Sequence, residues 1–156
     1  LLAPILCFTT EEAWQSRYGS DDSIHTKNFP QIQSKWKRPE LDSKWEVYKE
    51  IRKAINGAIE VERKNKKIGS SLEASVDLYL GESKLKKIDQ DLLKHISIIS
   101  ELKVFDKAPD DHCFVSETNK NIGVIVSKTK GDKCERCWKY FESLSNDICE
   151  RCAKVI

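Results

Sequence analysis

The sequence predicts an α+β fold in which a helical segment is followed by a small mixed α/β unit and then by a C-terminal four-cysteine zinc ribbon. Three observations predict it. Apolar residues recur at helical spacing between residues 43 and 67, and between residues 72 and 80 they alternate with polar ones, as in a half-buried strand. Two Cys-x2-Cys pairs, separated by eleven residues, then close the chain. We expect the three parts to span residues 1–69, 70–130 and 131–156.

The composition is that of a globular protein that does not enter a membrane. With 156 residues, 39% of them hydrophobic and 33% charged, the chain can build one ordinary core or two small ones. The net charge is only +2, so any binding of phosphate must depend on local clusters of basic residues. The chain opens on Leu1 and contains no methionine, so we expect a piece of a longer protein. It shows no secretory signal, so we expect a cytoplasmic protein, and we also expect a monomer.

The first residues predict a proline break at Pro4 followed by a short helix. Thr9 with Glu12 three positions later forms a capping-box pattern, and Gly19 suits the end of that helix. The polar stretch over residues 20–42 is interpreted as a long connection that runs along the surface.

A second helix is predicted to begin at Ser43, where Glu46 completes another capping box. One face of this helix is apolar, with Tyr48, Ile51, Ile55, Ala58 and Ile59 at helical spacing. Its basic end contains three candidate nucleic-acid-binding residues, which are Lys64, Lys66 and Lys67. The alternative is that these lysines are simply solvated and complement the helix dipole.

After Gly69 the pattern predicts a strand to residue 80, a helix through Leu85 and Ile96, and strands near 98–105, 114–117 and 122–127. A turn at Pro109 to Asp111 joins two of these strands, and the helix is expected to cover one face of the sheet. The three histidines, His25, His95 and His112, share no ligand spacing. We therefore predict no catalytic and no cofactor-binding residues in this chain.

The two Cys-x2-Cys pairs predict one structural zinc ion per chain, held by Cys134, Cys137, Cys149 and Cys152. Two thiolates three positions apart can chelate a metal ion from one tight turn, and four thiolates close the tetrahedral shell. The alternative is a pair of disulfides, which four cysteines could form in three ways. A closed shell has no position for a reactive water, so the metal is expected to stabilise the fold.

Basic and aromatic residues surround the first cysteine pair, in a stretch from residue 133 to residue 140 that we call the zinc knuckle. Its candidate nucleic-acid-binding residues are Lys133, Arg136, Trp138 and Lys139. Two alternatives stay open: Arg136 offsets the negative charge of the four thiolates, and Trp138 covers the metal site. The corresponding alternative function is a protein-interaction zinc module on a helical scaffold, with no role in nucleic-acid binding.

Three motifs occur in order along the chain: Leu1-Leu2-Ala3-Pro4 with Phe8 to Trp14, then Lys67 to Ala74, then Gly131 to Trp138. Together they resemble the C-terminal end of the bacterial isoleucyl-tRNA synthetases. The first motif is similar to the anticodon-binding helical domain that the isoleucine, valine and leucine class I synthetases share. The closing four-cysteine module with its tryptophan is similar to the bacterial isoleucine enzyme, and such a module is not expected at the end of the valine enzyme. One departure is Cys7, where that family usually has a proline.

The resemblance implies a class I synthetase anticodon-binding-like fold for the helical segment. It also implies a parent enzyme that attaches isoleucine to its tRNA, with ATP bound only in a catalytic domain upstream of Leu1. The expected partners are isoleucine-specific tRNA and the upstream domains of the same polypeptide. This part would supply tRNA binding and a structural zinc, and not the chemistry.

Overall fold

The structure is a computed structural model that describes residues 1–81, 88–107, 113–116 and 118–155. Within these ranges the chain is mixed α/β, with helices at α1 (Cys7–Tyr18), α2 (Pro39–Lys64), α3 (Gln90–Ile96) and α4 (Glu150–Ala153). The strands are β1 (Ala74–Leu80), β2 (Glu101–Phe105), β3 (Phe114–Val115), β4 (Ile122–Lys128), β5 (Asp132–Lys133) and β6 (Tyr140–Phe141). The predictions at Leu85, at Pro109 to Asp111, at His112 and at residue 117 lie outside the described residues.

The chain divides into two compact units, Leu1–Pro39 and Glu40–Ile156. In the first unit, α1 carries the residues that hold the following turn. The carboxylate of Glu11 accepts hydrogen bonds from Ser23 Oγ at 2.9 Å and from the backbone N–H of Ile24 at 3.1 Å. The indole N–H of Trp14 donates to Asp22 at 3.2 Å. These polar contacts order a unit whose helix buries no side chain completely.

The start predicted for α1 at Thr9 is wrong, because the helix begins at Cys7 and Thr9 lies inside it. No side chain caps the helix, and Thr10 Oγ1 instead donates to the carbonyl of Leu6 at 2.8 Å. The predicted stop is confirmed. Gly19 has φ +91°, a left-handed conformation that glycine adopts without steric cost, and its N–H donates to the carbonyl of Gln15.

The start predicted for α2 at Ser43 is also wrong, because the helix begins four residues earlier at Pro39. Proline suits a first helical turn, where its missing N–H would have no partner in any case. The predicted apolar face is confirmed: Tyr48, Ile51, Ile55, Ala58 and Ile59 are all buried, and Ala54 joins them. The face is continuous because these residues recur at three- and four-residue spacing.

The main sheet has four strands in the order β2-β1-β4-β3. Strand β1 pairs in parallel with β2 and antiparallel with β4, and β3 pairs antiparallel with β4. Predicted strands near 98–105, 114–117 and 122–127 correspond to β2, β3 and β4. The inward-facing residues of β1, which are Ala74, Val76, Leu78 and Leu80, are fully buried, as the alternating pattern predicts.

One hydrophobic core joins α2 to the inner face of this sheet and to Leu93 of α3. Tyr48 on α2 accepts a hydrogen bond at its hydroxyl from the backbone N–H of Asp89 at 2.8 Å. Gly57 on α2 allows Phe114 to approach closely, since a Cβ there would lie 2.8 Å from the phenyl ring. The sheet is therefore covered by α2 as well as by α3, although the sequence predicts only α3 there.

The predicted domain boundaries at 69/70 and 130/131 both fall inside the second compact unit. They stay predictions. Within the described residues, no helix is both long and apolar enough to span a membrane.

Candidate metal centre and basic surfaces

The four cysteines of the two Cys-x2-Cys pairs lie together at one point. Their Sγ atoms are all within 4.8 Å of one another, and none of the cysteines is in a disulfide. Sulfurs bound to zinc at about 2.3 Å in a tetrahedron lie about 3.8 Å apart. The Sγ atoms of Cys137 and Cys149 are 3.8 Å apart. The donor set and its spacing therefore fit a structural zinc, and the disulfide alternative does not agree with this geometry.

A short hairpin, β5 to β6, brings the first cysteine pair into place. Within its turn, the N–H of Cys134 donates to the carbonyl of Lys139, and the N–H of Trp138 donates to the carbonyl of Cys134, both at 2.9 Å. Gly131 precedes the hairpin with φ +98°, and a Cβ there would lie 2.2 Å from the carbonyl oxygen of Phe141. Glycine is therefore required on both conformational and steric grounds.

The second pair stands at the start of α4, with Cys149 just before the helix and Cys152 inside it. The backbone N–H of Cys149 donates to Cys134 Sγ at 3.4 Å. Phe141, Leu144 and Ile148 pack around the sulfurs. The few apolar groups in this module are thus gathered around the metal site, which is typical of a module that folds around zinc.

The pKa values of two thiols in this cluster shift in opposite directions. Hydrogen bonds from backbone N–H groups, that of Cys137 first, lower the pKa of Cys134 to about 6. Burial raises the pKa of Cys137 to about 11. Four thiolates this close together would repel one another without a divalent ion, and a bound zinc would supply the compensating charge.

The two arginines of the cysteine pairs, Arg136 and Arg151, line one concavity together with Cys137 and Cys152. A hydrogen bond to the sulfur of Cys152, and negative charge on Cys137 and Cys152, raise the pKa of Arg151. Arg136 Nη1 donates to the backbone carbonyl of Cys152 at 3.4 Å. Arg151 thus interacts with the charged sulfurs, and Arg136 links the two cysteine pairs through one of its hydrogen-bond donors.

The other members of the zinc knuckle divide between exposed and half-buried positions. Trp138 is 59% exposed, and its indole N–H donates to the carbonyl of Glu135 at 3.1 Å. The ammonium of Lys133 lies 5.1 Å from the centre of the Trp138 ring, a cation–π contact. Lys139 is half-buried, and burial lowers its pKa, with Lys94 and Arg151 adding to the effect. Lys133, Arg136 and Trp138 are therefore the accessible members of the knuckle.

A second basic surface lies at the C-terminal end of α2, in an open depression of 550 Å³. We call it the basic depression. Five basic and two acidic side chains line it, namely Arg63, Lys64, Lys66, Lys67 and Lys128 with Glu60 and Glu73. The sequence pattern indicates Lys64, Lys66 and Lys67 but not Lys128, which reaches the depression only because β4 pairs with β1.

The residues four positions after Glu60 and Glu62 are Lys64 and Lys66, but neither glutamate pairs with that lysine. Arg63 pairs with Glu60 at 2.8 Å, Lys67 with Glu62 at 2.7 Å, and Lys128 more loosely with Glu73 at 3.8 Å. Lys64 and Lys66 form no ion pair within the described part of the chain. The depression therefore retains an excess of positive charge that can bind an anion.

The structure thus brings the predicted nucleic-acid-binding residues together in two places and not one. Lys64, Lys66 and Lys67 lie in the basic depression, while Lys133, Arg136, Trp138 and Lys139 lie on the zinc knuckle. The described histidines are engaged with backbone carbonyls: His25 Nε2 lies 3.1 Å from the oxygen of Cys7, and His95 Nδ1 lies 2.7 Å from that of Asp91.

Two families match this chain. Residues 1–78 match the anticodon-binding domain of tRNA ligase, and residues 131–155 match the zinc finger found in FPG and IleRS. The second match coincides with the module that carries the four cysteines.

Similar curated proteins are named isoleucine–tRNA ligase. The chain is 40% identical over 149 residues to the protein of Agrobacterium fabrum and 35% identical over 147 residues to that of Bartonella henselae. Each alignment covers 94% of this chain and 15% of the relative. A relative from Natranaerobius thermophilus is 35% identical over 166 residues, with 100% of this chain and 18% of the relative covered. The chain thus spans less than a fifth of the length of these relatives.

Proposed function

The chain belongs to the family of anticodon-binding domains of tRNA ligases, and on that premise we propose that it is the tRNA-binding C-terminal part of an isoleucine–tRNA ligase. The parent enzyme attaches isoleucine to its tRNA using ATP, and the ATP site belongs to a catalytic domain elsewhere in the polypeptide. The partners of this part are isoleucine-specific tRNA and the other domains of the same polypeptide. The helical segment adopts the fold of a class I anticodon-binding domain.

The observation that carries the proposal is the basic depression. It is concave, it contains more basic than acidic side chains, and its Lys64 and Lys66 have no ion-pair partner within the described residues. An RNA backbone presents a row of phosphates to such a surface, and contact with lysine releases condensed counterions from the RNA. This positive charge does not stabilise the hydrophobic core. A binding site for a phosphodiester chain accounts for it.

The zinc knuckle is proposed as a second contact with the same RNA. Zinc, held by Cys134, Cys137, Cys149 and Cys152, closes the loop that presents Lys133 and Trp138. A lysine beside an exposed indole suits a single-stranded loop, because the ammonium can meet a phosphate while the ring stacks on a base. Arg136 is exposed but uses one donor on the carbonyl of Cys152, and Lys139 contributes less to the accessible surface because it is half-buried.

Titration of the zinc-loaded chain with fluorescently labelled isoleucine tRNA, at several salt concentrations, tests the proposal. We expect Lys64→Ala with Lys66→Ala to weaken binding and to reduce the slope of log affinity against log salt by about 1.4, since each lysine that meets a phosphate contributes about 0.7 to that slope. Lys49→Ala is the matched control, because Lys49 is an exposed lysine on the same helix that pairs with Glu46 outside the depression. It should bind like the unaltered chain.

A chain that binds no tRNA at any salt concentration, with its zinc retained, would contradict the proposal. The alternative function, a protein-interaction zinc module, is favoured by the 59% exposure of Trp138. That alternative requires Trp138→Ala to abolish binding of a protein partner while tRNA binding remains that of the unaltered chain.

A further inference from the structure

A second concavity, of 430 Å³, lies between the outer face of the main sheet and the β6 end of the zinc module. We call it the polar groove. Its floor is formed by Ser75 and Asp77 of β1 with their neighbours on β2 and β4, and Tyr140 belongs to the opposite wall. Neither the cysteine motif nor the basic end of α2 accounts for this groove.

Strand pairing places the residues of the floor. Ser75 lies between Glu101 of β2 and Ser127 of β4 in the register of the sheet. Asp77 lies in the next outward-facing row, beside Lys103. Side chains of a strand alternate between its two faces, so this row is turned away from the core that α2 covers.

The two carboxylates of the floor are in different states. Glu101 is already engaged: Lys103 lies 3.0 Å away, and Ser75 Oγ donates to it at 2.9 Å. These contacts, that of Lys103 first, hold the pKa of Glu101 below its usual value. The carboxylate of Asp77 is half-buried and accepts no hydrogen bond within the part of the chain that the structure describes, although its charge adds to that of Glu101 in raising the pKa of Lys103. It therefore offers free acceptor oxygens at the floor of the groove.

The wall that faces this floor is held by one serine. Ser100 Oγ donates to the carbonyl of Leu72 at 2.6 Å and accepts from the backbone N–H of Tyr140 at 2.9 Å. The zinc module is thereby fixed to the sheet at the point where Tyr140 lines the groove. Phe141, the next residue, lines the groove as well and also packs on the zinc-binding cysteines.

The polar groove adjoins the basic depression, because Lys128 lines both of them. The basic depression carries an excess of basic side chains, and the polar groove carries a carboxylate with unused acceptor oxygens together with an aromatic residue. An unpaired nucleotide has the same two parts, a phosphate and a planar base whose edge carries N–H donors.

We propose that the polar groove binds an unpaired RNA base through Asp77, while the adjoining phosphate lies at Lys128. The proposal rests on the proposed function, since it names a contact within the same RNA complex. A carboxylate accepts hydrogen bonds and donates none, so the groove favours a base edge with amino or imino N–H groups, as in guanine, adenine or cytosine. Tyr140 provides the flat surface against which the base stacks.

Two labelled RNA hairpins test this proposal on the zinc-loaded chain. One carries the anticodon loop of isoleucine tRNA, and the other has the same stem and phosphates but abasic nucleotides in the loop. We expect the unaltered chain to bind the intact loop more tightly than the abasic loop. Asp77→Asn should weaken binding of the intact loop about tenfold, because a charged acceptor is removed, and should leave binding of the abasic loop unchanged.

Two further variants separate the base contact from the phosphate contact. Lys128→Ala should weaken binding of both hairpins by the same factor. Asp42→Asn makes the same chemical change as Asp77→Asn at an exposed position in the first turn of α2, and it should affect neither hairpin. Zinc content and the melting temperature establish that each variant is folded.

Equal affinity of the unaltered chain for both hairpins would overturn the inference, whatever the variants do. So would a folded Asp77→Asn protein with the affinities of the unaltered chain. In either case the proposed function stands if Lys64→Ala with Lys66→Ala still weakens binding. A chain that binds neither hairpin nor tRNA overturns the proposed function as well.

Discussion

Truncation of Ile55 tests whether α2 and the main sheet share one core. Ile55 is 0% exposed and belongs to the hydrophobic cluster that contains the inner face of β1. Ile55→Ala removes three carbon atoms, worth about 2.4 kcal/mol at about 0.8 kcal/mol for each buried methylene. The cavity left behind adds to this, so the expected loss in the free energy of unfolding is about 2–5 kcal/mol.

The measurement is urea unfolding of the zinc-saturated protein, followed in parallel by far-ultraviolet circular dichroism and by tryptophan fluorescence. Thermal unfolding gives a second measure of the same change: for a chain of this size, a loss of about 3 kcal/mol lowers the melting temperature by about 6–12 °C. Val61→Ala is the control on the same helix, because Val61 is 43% exposed, and it should change stability by about 0.5 kcal/mol or less. An Ile55→Ala protein as stable as the Val61→Ala protein would refute the shared core.

Three other predictions concern the zinc module and the chemistry. Gly131→Ala places a methyl group against the carbonyl of Phe141. The variant should therefore lose zinc to a chromophoric chelator faster than the unaltered chain does, and an unchanged rate would contradict the geometry of the hairpin. Trp138→Ala should weaken tRNA binding by about 1–3 kcal/mol at a nearly constant salt slope if the indole stacks on a base, whereas a loss of zinc would identify Trp138 as a cover for the metal. Isoleucine-dependent exchange of pyrophosphate into ATP should stay at background, and turnover above a mock preparation would reveal a catalytic site in this chain.

The metal centre could be predicted almost completely from the sequence, because its chemistry depends on short spacings. Cys134 and Cys137 reach one ion from a single turn, and so do Cys149 and Cys152. The apolar face of α2 could be predicted equally well, since Ile51 and its neighbours recur at helical spacing, which indicates one buried face.

The helix starts could not be predicted reliably, because local capping patterns compete with other local geometry. Thr9 is preceded by residues that already form a helical turn, and Thr10 bonds back to Leu6 instead of capping. At α2, Pro39 begins the helix one turn ahead of Ser43. Each pattern was present in the sequence, but the true first turn lay upstream of it.

The polar groove and the full basic depression depend on contacts between residues far apart in the chain. Lys128 approaches Lys64 only through the pairing of β4 with β1, and Asp77 lies beside Lys103 only through the parallel pairing with β2. No local pattern encodes these registers. The sequence therefore indicates the basic residues of one helix end, and strand pairing determines which further residues join them.

Footprinting of isoleucine tRNA with the zinc-loaded chain tests whether this part of the protein binds the anticodon arm. In this measurement hydroxyl radicals cleave the RNA backbone wherever the protein leaves it accessible. An anticodon-binding part of a tRNA ligase should protect riboses of the anticodon arm and leave the acceptor stem as accessible as in free tRNA. Protection confined to the acceptor stem, or no protection at protein concentrations that saturate binding, would contradict the account.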